Sequence, residues 1–183
     1  THYVGEKGDE LSNYAYNYQT VKQGTGYGAS IARTTAVYYY DHVDTDHPAN
    51  NDPEARAESA TSEDRMSASR TFKVTAIADI ADEAAATPNI QSSTYYLGDK
   101  GFEIADYSFN FKVGSAAKKS TSVFFYGTSD ARAATAGSED AMTRSLSYKN
   151  GLTAAELAAS TITSEAIDNL IKLTSDTHYV GEK

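Results

Sequence analysis

The feature that most constrains this chain is a segment that occurs more than once. THYVGEK occupies residues 1–7, and the same seven letters return at residues 177–183. A related segment lies between them, because TYYLGDKGFEIADYSFNF (94–111) aligns with THYVGEKGDELSNYAYNY (1–18). Three blocks that match in one order indicate an internal duplication. The two further matched blocks are TTAVYYYD (34–41) with STSVFFYG (120–127), and SEDRMSASRTFK (62–73) with SEDAMTRSLSYK (138–149).

The duplication divides the chain into a first unit, residues 1–93, a second unit, residues 94–176, and the start of a third copy at 177–183. A chain of 183 residues can bury one core or two small ones. The two units differ from each other, whereas the restart at Thr177 matches Thr1 letter for letter. We therefore expect a tandem array whose period is the pair of units. The alternative is one isolated domain whose two terminal heptads agree by coincidence.

Alternation of residue types predicts β-strands in both units. Tyr14, Tyr16 and Tyr18 alternate with small or polar residues, and the second unit repeats the pattern with aromatic residues at 107, 109 and 111. A period of two is typical of a half-buried strand. About four strand signals in each unit predict a mainly β protein made of two tandem Ig-like β-sandwich units, with room for a strand shared across the junction.

The end of the second unit carries a different signal. Thr153 and Glu156 have the spacing of a capping box, and apolar residues follow at helical intervals in the same stretch. The sequence therefore predicts one or two short helices within residues 153–173, packed on a sheet or lying between repeats.

Charge and composition exclude several classes of function. The chain has 16 Lys and Arg against 25 Asp and Glu, a net charge of −9, which disfavours nucleic acid as a partner. It has no cysteine for disulfides or thiol catalysis, and no apolar run long enough to span a membrane. It also lacks a nucleophile elbow, a phosphate-binding glycine loop and an HExxH motif. We therefore expect a protein that is not an enzyme.

One acidic stretch is a candidate metal site. The segment DHVDTDHPANNDPE (41–54) concentrates carboxylates, and hard oxygen ligands at close spacing are what Ca²⁺ requires. Its spacing does not match an EF-hand, and a solvated acidic loop is the alternative. Zinc held by His42 and His47 is a second, weaker hypothesis. The candidate calcium ligands are Asp41, Asp44, Asp46, Asp52 and Glu54.

A second candidate site is aromatic. Each unit carries a run of three consecutive rings, and adjacent residues of a strand point to opposite faces, so the three rings cannot all enter one core. The remaining rings are candidates for contacts with neighbouring repeats or chains. The predicted interface residues are Tyr38, Tyr39, Tyr40, Phe124, Phe125 and Tyr126.

In organisation, a cysteine-free acidic array of β-rich units resembles the giant tandem-repeat surface proteins of bacteria, namely Ig-like repeat adhesins and filament or appendage fibres. The resemblance implies an extracellular or cell-surface structural repeat that gives length and stiffness and contacts other copies of itself. The alternatives are a module that binds a glycan or another surface ligand, and a subunit of a phage tail-like assembly.

Overall fold

The computed structural model describes residues 1–43, 52–73, 76–80, 88–158 and 173–180, and it is mainly β. The twelve strands run in chain order, with a 3₁₀ turn at Ile77–Asp79 after β7 and a short helix α1 at Ala154–Ala158 after β11. The strands are β1 (His2–Val4), β2 (Leu11–Gln19), β3 (Lys22–Gln23), β4 (Gly26–Tyr27), β5 (Ile31–His42), β6 (Asp52–Arg56), β7 (Met66–Phe72), β8 (Ile90–Leu97), β9 (Ile104–Phe111), β10 (Lys118–Tyr126), β11 (Met142–Lys149) and β12 (Leu173–His178).

Ten of these strands form one antiparallel sheet. Its order is β1-β2-β5-β7-β8-β9-β10-β11-β12, and β6 pairs with β5 beside this path. The strands of the path follow one another in sequence order, so the sheet is an antiparallel meander. The remaining pair, β3 and β4, makes a separate small hairpin after β2.

The two halves of the sheet have the same strand registers. Tyr14 pairs with Val37 in the first half, and Tyr107 pairs with Val123 in the second. Further along, Val37 lies opposite Arg70 as Val123 lies opposite Leu146. Even the irregularities agree, because β1 and β8 each have a register shift at the same position of the repeat, at His2/Tyr3 and at Tyr95/Tyr96. The duplicated sequence therefore forms a duplicated set of ladders.

One face of the sheet carries the apolar residues of the alternating pattern. In the first half, Val37, Tyr39 and Phe72 are buried beneath Ile80, which follows the 3₁₀ turn. In the second half the corresponding cluster is covered by the segment that leads into α1, and it consists of Val123, Phe125, Leu146, Tyr148 and Leu152. Full burial of each such side chain contributes about 1.5–3 kcal/mol.

The predicted mainly β fold is confirmed, but the two Ig-like sandwich units are not. Strand β8 of the second half pairs with β7 of the first half as well as with β9, so hydrogen bonds run across the expected boundary between units. The unit limits at 93, 94, 176 and 177 stay a prediction.

The predicted capping box is confirmed. The Thr153 amide donates to Glu156 Oε2 at 2.6 Å, and the Glu156 amide donates to Thr153 Oγ1 at 3.2 Å. These reciprocal bonds satisfy two amides that the first turn of a helix leaves unpaired. Helix α1 starts there, and residues 159–172 of the predicted helical stretch lie outside the described residues.

Candidate functional site

The contact between the two halves, which we call the junction, is built around β8. Ser69 of β7 lies opposite Thr94, and on the other side of β8 Thr94 lies opposite Ser108 of β9. An antiparallel strand with a neighbour on each side has its backbone groups paired in both directions. The junction therefore has the same main-chain bonding as the interior of either half.

Side chains reinforce the junction on the first half's side. Glu103, in the turn after β8, accepts the amide of Met66 on Oε1 and the amide of Gly101 on Oε2, each at 3.0 Å. The hydroxyls of Ser69 and Tyr96 are 3.1 Å apart. A carboxylate that accepts two main-chain amides makes charge-assisted hydrogen bonds, which are stronger than neutral ones.

The turn that positions Glu103 requires glycine at its start. Gly98 has a φ of +120°, and a Cβ on it would lie 2.7 Å from the carbonyl oxygen of Phe102. No side chain fits there, and an L-residue disfavours that backbone conformation. Arg65 of the first half donates from Nη1 to the Gly98 carbonyl at 3.3 Å, which attaches the turn to the preceding repeat.

The start of the sheet, which we call the head face, repeats the second half of the junction. Glu10 accepts the amide of Gly8 at 3.0 Å, as Glu103 does with Gly101. The His2 and Tyr14 rings stack at 4.3 Å, where Tyr95 and Tyr107 stack at 4.7 Å. Two aromatic side chains of the head face are exposed, Tyr3 by 61% and Tyr18 by 63%, whereas their counterparts Tyr96 and Phe111 are half-buried.

The other end of the sheet, the tail edge formed by β11 and β12, repeats the first half of the junction. Ser145 lies opposite Thr177 just as Ser69 lies opposite Thr94. The hydroxyls of Ser145 and Tyr179 are 3.1 Å apart, the same separation as in the Ser69 and Tyr96 pair. The start of the repeated heptad, Thr177 and His178, is therefore placed on β11 as Thr94 and Tyr95 are placed on β7.

An ion pair adds to the attachment of β12. Arg144 on β11 donates from Nε and Nη2 to the two carboxylate oxygens of Asp176, at 2.9 and 2.7 Å. The hydrogen bond from Arg144 lowers the pKa of the Asp176 carboxyl. A two-point bond of this geometry fixes the orientation of the strand as well as its distance.

A groove lies beside the junction and recurs at the head face. The junction groove has a volume of about 370 Å³ and is lined by Arg65, Gly98, Asp99 and Phe102 among others. At the head face a groove of about 250 Å³ is lined by the corresponding Gly5, Glu6 and Asp9. The two grooves differ because the exposed ring of Phe102 and the guanidinium of Arg65 belong to the junction copy alone.

The structure describes part of the predicted calcium site. Asp41 accepts hydrogen bonds from Arg65 Nε and Nη2 at 3.0 and 2.6 Å, and Glu54 accepts one from Arg70 Nη2 at 2.5 Å. Asp44, Asp46 and the side chain of Asp52 lie outside the described residues. Among the side chains that are described, no group of three or more His, Asp or Glu is arranged to hold a metal ion. The calcium site stays a prediction.

Only one of the two histidines of the zinc hypothesis, His42, belongs to the described residues. His42 Nδ1 lies 2.8 Å from Asp64 Oδ2, and that carboxylate also accepts the Thr61 amide at 2.7 Å. His47 lies outside the described residues. The described histidine therefore belongs to a turn that Asp64 closes.

The six predicted interface rings divide between the interior and the surface of the sheet. Tyr38 and Phe124 are half-buried, and Tyr38 packs against a further buried cluster that contains Leu11, Tyr40 and Ala57. The other four are at most 6% exposed and pack within the chain, namely Tyr39, Tyr40, Phe125 and Tyr126. Their interface role stays a prediction, and the most exposed rings at the sheet's start are Tyr3 and Tyr18 instead.

Comparisons with protein-family models, curated protein sequences and solved structures found no match to this chain. Within the described part of the chain, no helix has the length and apolar character needed to cross a membrane. The junction joins the two halves by main-chain hydrogen bonds, by the carboxylate of Glu103 and by aromatic stacking. These contacts can attach one half of the sheet to the next.

The sequence analysis did not identify Glu103 as the carboxylate that bonds the amide of Met66 on the neighbouring strand. Its signal was present in the sequence, because Glu10 and Glu103 occupy the same place in the two glycine turns. The partner amide, that of Met66, comes from the preceding half, and no local pattern connects it to Glu103.

Proposed function

We propose that this chain is a structural repeat of a long extracellular fibre or surface appendage, in which each four-strand half adds to one growing sheet. The observation that carries the proposal is the pairing of β12, which lies on β11 in the register that β8 adopts on β7 and contains the first two residues of the heptad, Thr177 and His178. The strand that follows the second half is thus bonded to that half in the same way as the first strand of the second half is bonded to the first half. Repeats that contact mainly their neighbours extend a fibre without a catalytic site.

The proposal gives the fibre a definite geometry. Neighbouring strands lie about 4.8 Å apart in the direction of their hydrogen bonds, so eight strands of the path add about 38 Å for each 176 residues. The strands lie across the fibre, and the sheet's twist turns successive repeats about its axis. The finer alternative, in which each half closes into its own Ig-like sandwich, leaves the repeats mechanically and thermodynamically separate.

Fusions of one, two and four copies at the shared heptad test the proposal. In a continuous sheet each added copy stabilises its neighbours, so we expect the thermal midpoint to rise with copy number and to level off. Scattering should give a contour that lengthens by about 38 Å per copy. A midpoint that does not change with copy number would exclude the continuous sheet and favour separate sandwiches.

The surface location is tested on the organism itself. An antibody against THYVGEK should label intact cells, and it should detect on a denaturing gel a polypeptide much larger than the 19.7 kDa of this chain. A band near that mass, with no surface label, would contradict the fibre.

A second candidate function is binding of a glycan or another surface ligand at the junction groove. The favouring observation is the ring of Phe102, which is 54% exposed beside a groove that Arg65 and Asp99 also line. Aromatic faces with adjacent polar groups are suited to sugar rings. A glycan array with the native chain and Phe102→Ala tests it, with Asp9→Ala in the corresponding groove as the matched control.

A further inference from the structure

Within the described part of the chain, one face of the sheet is covered and the other is accessible along two rows of side chains. Residues paired across antiparallel strands share a face, so each row can be followed from strand to strand. On the covered face, Val37, Ser93 and Thr121 are at most 1% exposed. The first accessible row carries a hydroxyl on each strand from β7 to β12, and its half-buried or exposed residues are Ser69, Thr94, Ser108, Ser122, Ser147 and Ser175.

A second row lies beside the first, two residues along the strands, and we call the two rows together the hydroxyl face. Its residues are Thr71, Ser92, Asn110 and Ser120, with Ala36 at one end and Lys149 at the other.

The hydroxyl face has very little charge for a surface of this protein. The chain has a net charge of −9, yet no residue of the two rows is acidic and Lys149 is the one charged residue among them. A surface that faces water typically has about a quarter to a third of its residues charged. Depletion of charged residues is instead typical of the core of a protein contact. The composition therefore favours a face that is covered by a partner.

Hydrogen bonds within the hydroxyl face lower the cost of removing it from water. Thr94 Oγ1 donates to Ser108 Oγ at 3.2 Å, and Asn110 Nδ2 donates to Ser120 Oγ at 3.2 Å. Polar groups that are already bonded are less costly to bury. Ser108 and Ser120 accept these bonds, so each retains its own O–H to donate to a partner.

The hydroxyl face is large enough for a stable contact. It crosses seven strands of the path, which at a spacing of about 4.8 Å span about 34 Å. With Thr34 and Phe124 at its borders it extends about 20 Å along the strands. Covering it on two copies removes about 1,400 Å² from water, which lies within the range of roughly 1,200–2,000 Å² for specific contacts. Its short side chains allow a second sheet to approach to the usual distance of about 10 Å.

We propose that the hydroxyl face binds the hydroxyl face of a second copy of this chain, so that two sheets pack face to face. Aligned sheets of this kind keep their strand directions within about 30° of each other. A second copy is the occupant because its hydroxyl face is equally free of acidic side chains, whereas the rest of each acidic chain repels the other. The same patch is used on both copies, so the contact closes at two.

The contact requires the sheet of a single chain, and it goes beyond the proposed function. In the proposed fibre the hydroxyl face continues from repeat to repeat, so the same contact would join two fibres side by side. That consequence rests on the proposed function. Since each added repeat adds contact area without a new association step, the paired fibres would bind more tightly with every copy.

Sedimentation and X-ray scattering of the 183-residue chain test the contact. The mass should rise with concentration from 19.7 kDa to twice that value and stop there. The dimer should be thicker than the monomer but of similar longest dimension, because the second sheet lies on the first. A monomer at every concentration overturns the inference, and so does a dimer about twice as long as the monomer, which would associate through sheet edges.

Matched arginine variants locate the contact. Ser108→Arg places a large cation at the centre of both hydroxyl faces and should weaken dimerisation about a hundredfold. Val113→Arg adds the same charge in the turn after β9, where Val113 is 89% exposed and outside the face, and should change dimerisation less than about twofold. The thermal midpoints of the two dilute monomers should agree. Equal effects on dimerisation overturn the inference, and Ser122→Arg on the next strand repeats the test if Ser108→Arg does not fold.

Two further readouts separate this inference from the other proposals. If the chain stays a monomer while the thermal midpoint of fused copies rises with copy number, the face-to-face contact is wrong and the continuous sheet stands. A dimer sensitive to Ser108→Arg, without coupling between fused copies, has the opposite meaning. A monomer that binds a glycan array and loses this binding in Ser108→Arg would assign the hydroxyl face to a polysaccharide and overturn the contact between copies.

Discussion

Arg70 and Leu146 occupy the same position in the two halves, and both are buried. Each lies opposite a fully buried valine, Val37 or Val123. In the first half the guanidinium of Arg70 lies over the Tyr39 ring at 4.4 Å and donates a hydrogen bond from Nη2 to the carboxylate of Glu54, whereas Leu146 joins an apolar cluster. The strand registers are the same with Arg70 or Leu146 at this position, so the backbone pairing does not depend on whether the buried side chain is charged or apolar.

The difference follows from an insertion in the first half. The connection between β5 and β6 is long in that half, and β6 places Glu54 next to Arg70. In the second half the corresponding ladder shrinks to a single bridge between Tyr126 and Ala131. A buried arginine is tolerated only where a carboxylate reaches it, because an unpaired buried charge is costly.

The largest expected effect comes from removing the carboxylate that neutralises Arg70. Glu54→Gln should lower the free energy of unfolding by about 3 kcal/mol, because it leaves a buried cation without its counter-charge. Arg70→Leu, which copies the second half, should stay within about 1 kcal/mol of the native chain, since Glu54 is partly exposed and can be hydrated. Urea unfolding followed by circular dichroism measures both.

The matched control for that pair is in the second half. Asp130, the counterpart of Glu54, lies 3.7 Å from Arg144 and is 40% exposed, so Asp130→Asn should cost less than about 1 kcal/mol. Equal effects of Glu54→Gln and Asp130→Asn would show that the deeper burial of Arg70, compared with Arg144, does not make its carboxylate partner more important for stability.

A smaller effect distinguishes two glycines of the junction turn. Gly98→Ala should cost roughly 2 kcal/mol, because the new Cβ meets the Phe102 carbonyl at a positive φ. Gly101→Ala should cost roughly 1 kcal/mol, because its φ is also positive but no atom lies within 4 Å of the new Cβ. Thermal unfolding of the two variants gives the ranking, and a reversed order would show that steric contact at Gly98 is relieved elsewhere.

The smallest effect should be equal in the two halves. Tyr40 donates to the Ser12 carbonyl at 2.7 Å and Tyr126 donates to the Ala105 carbonyl at 2.6 Å, so each change to Phe should cost about 1 kcal/mol. A result in which only one of the two variants is destabilised would show that the halves are less alike in energy than in register.

The same two tyrosines predict a loss of stability in base. Burial raises the pKa of both Tyr40 and Tyr126 to about 12. The unfolded chain releases these protons near pH 10, so between about pH 10 and 12 the folded chain binds more protons and its stability falls as the pH rises. Each Phe variant should reduce that slope in unfolding measured at several alkaline pH values.

The sequence predicts the local structure of this chain better than its assembly. The alternating rings of β2 and β9, the glycine turns and the Thr153 capping box all depend on neighbouring residues, and the structure contains them. The pairing of β7 with β8 joins segments on opposite sides of a long connection, and it decides between one sheet and two sandwiches. Periodicity is the same in either arrangement, so it does not distinguish them.

The same reason applies to the candidate site residues. The runs of three rings predict correctly that not all of the rings enter one core, but which of them are buried depends on the bulge after Tyr39 and after Phe125. The arginine partners of Asp41 and Glu54 come from positions 65 and 70, and the acidic stretch itself contains no arginine. Long-range partners of this kind require the fold.

The meander order of the sheet also sets how the molecule responds to a pull between its two ends. The force then runs along the inter-strand hydrogen bonds, so ladders separate one strand at a time from an end and are not sheared together. Each fully unravelled 176-residue period would lengthen from about 38 Å to roughly 600 Å. In the fibre proposed above, such repeats would yield gradually under load, and refolding from the remaining sheet edge would restore the length.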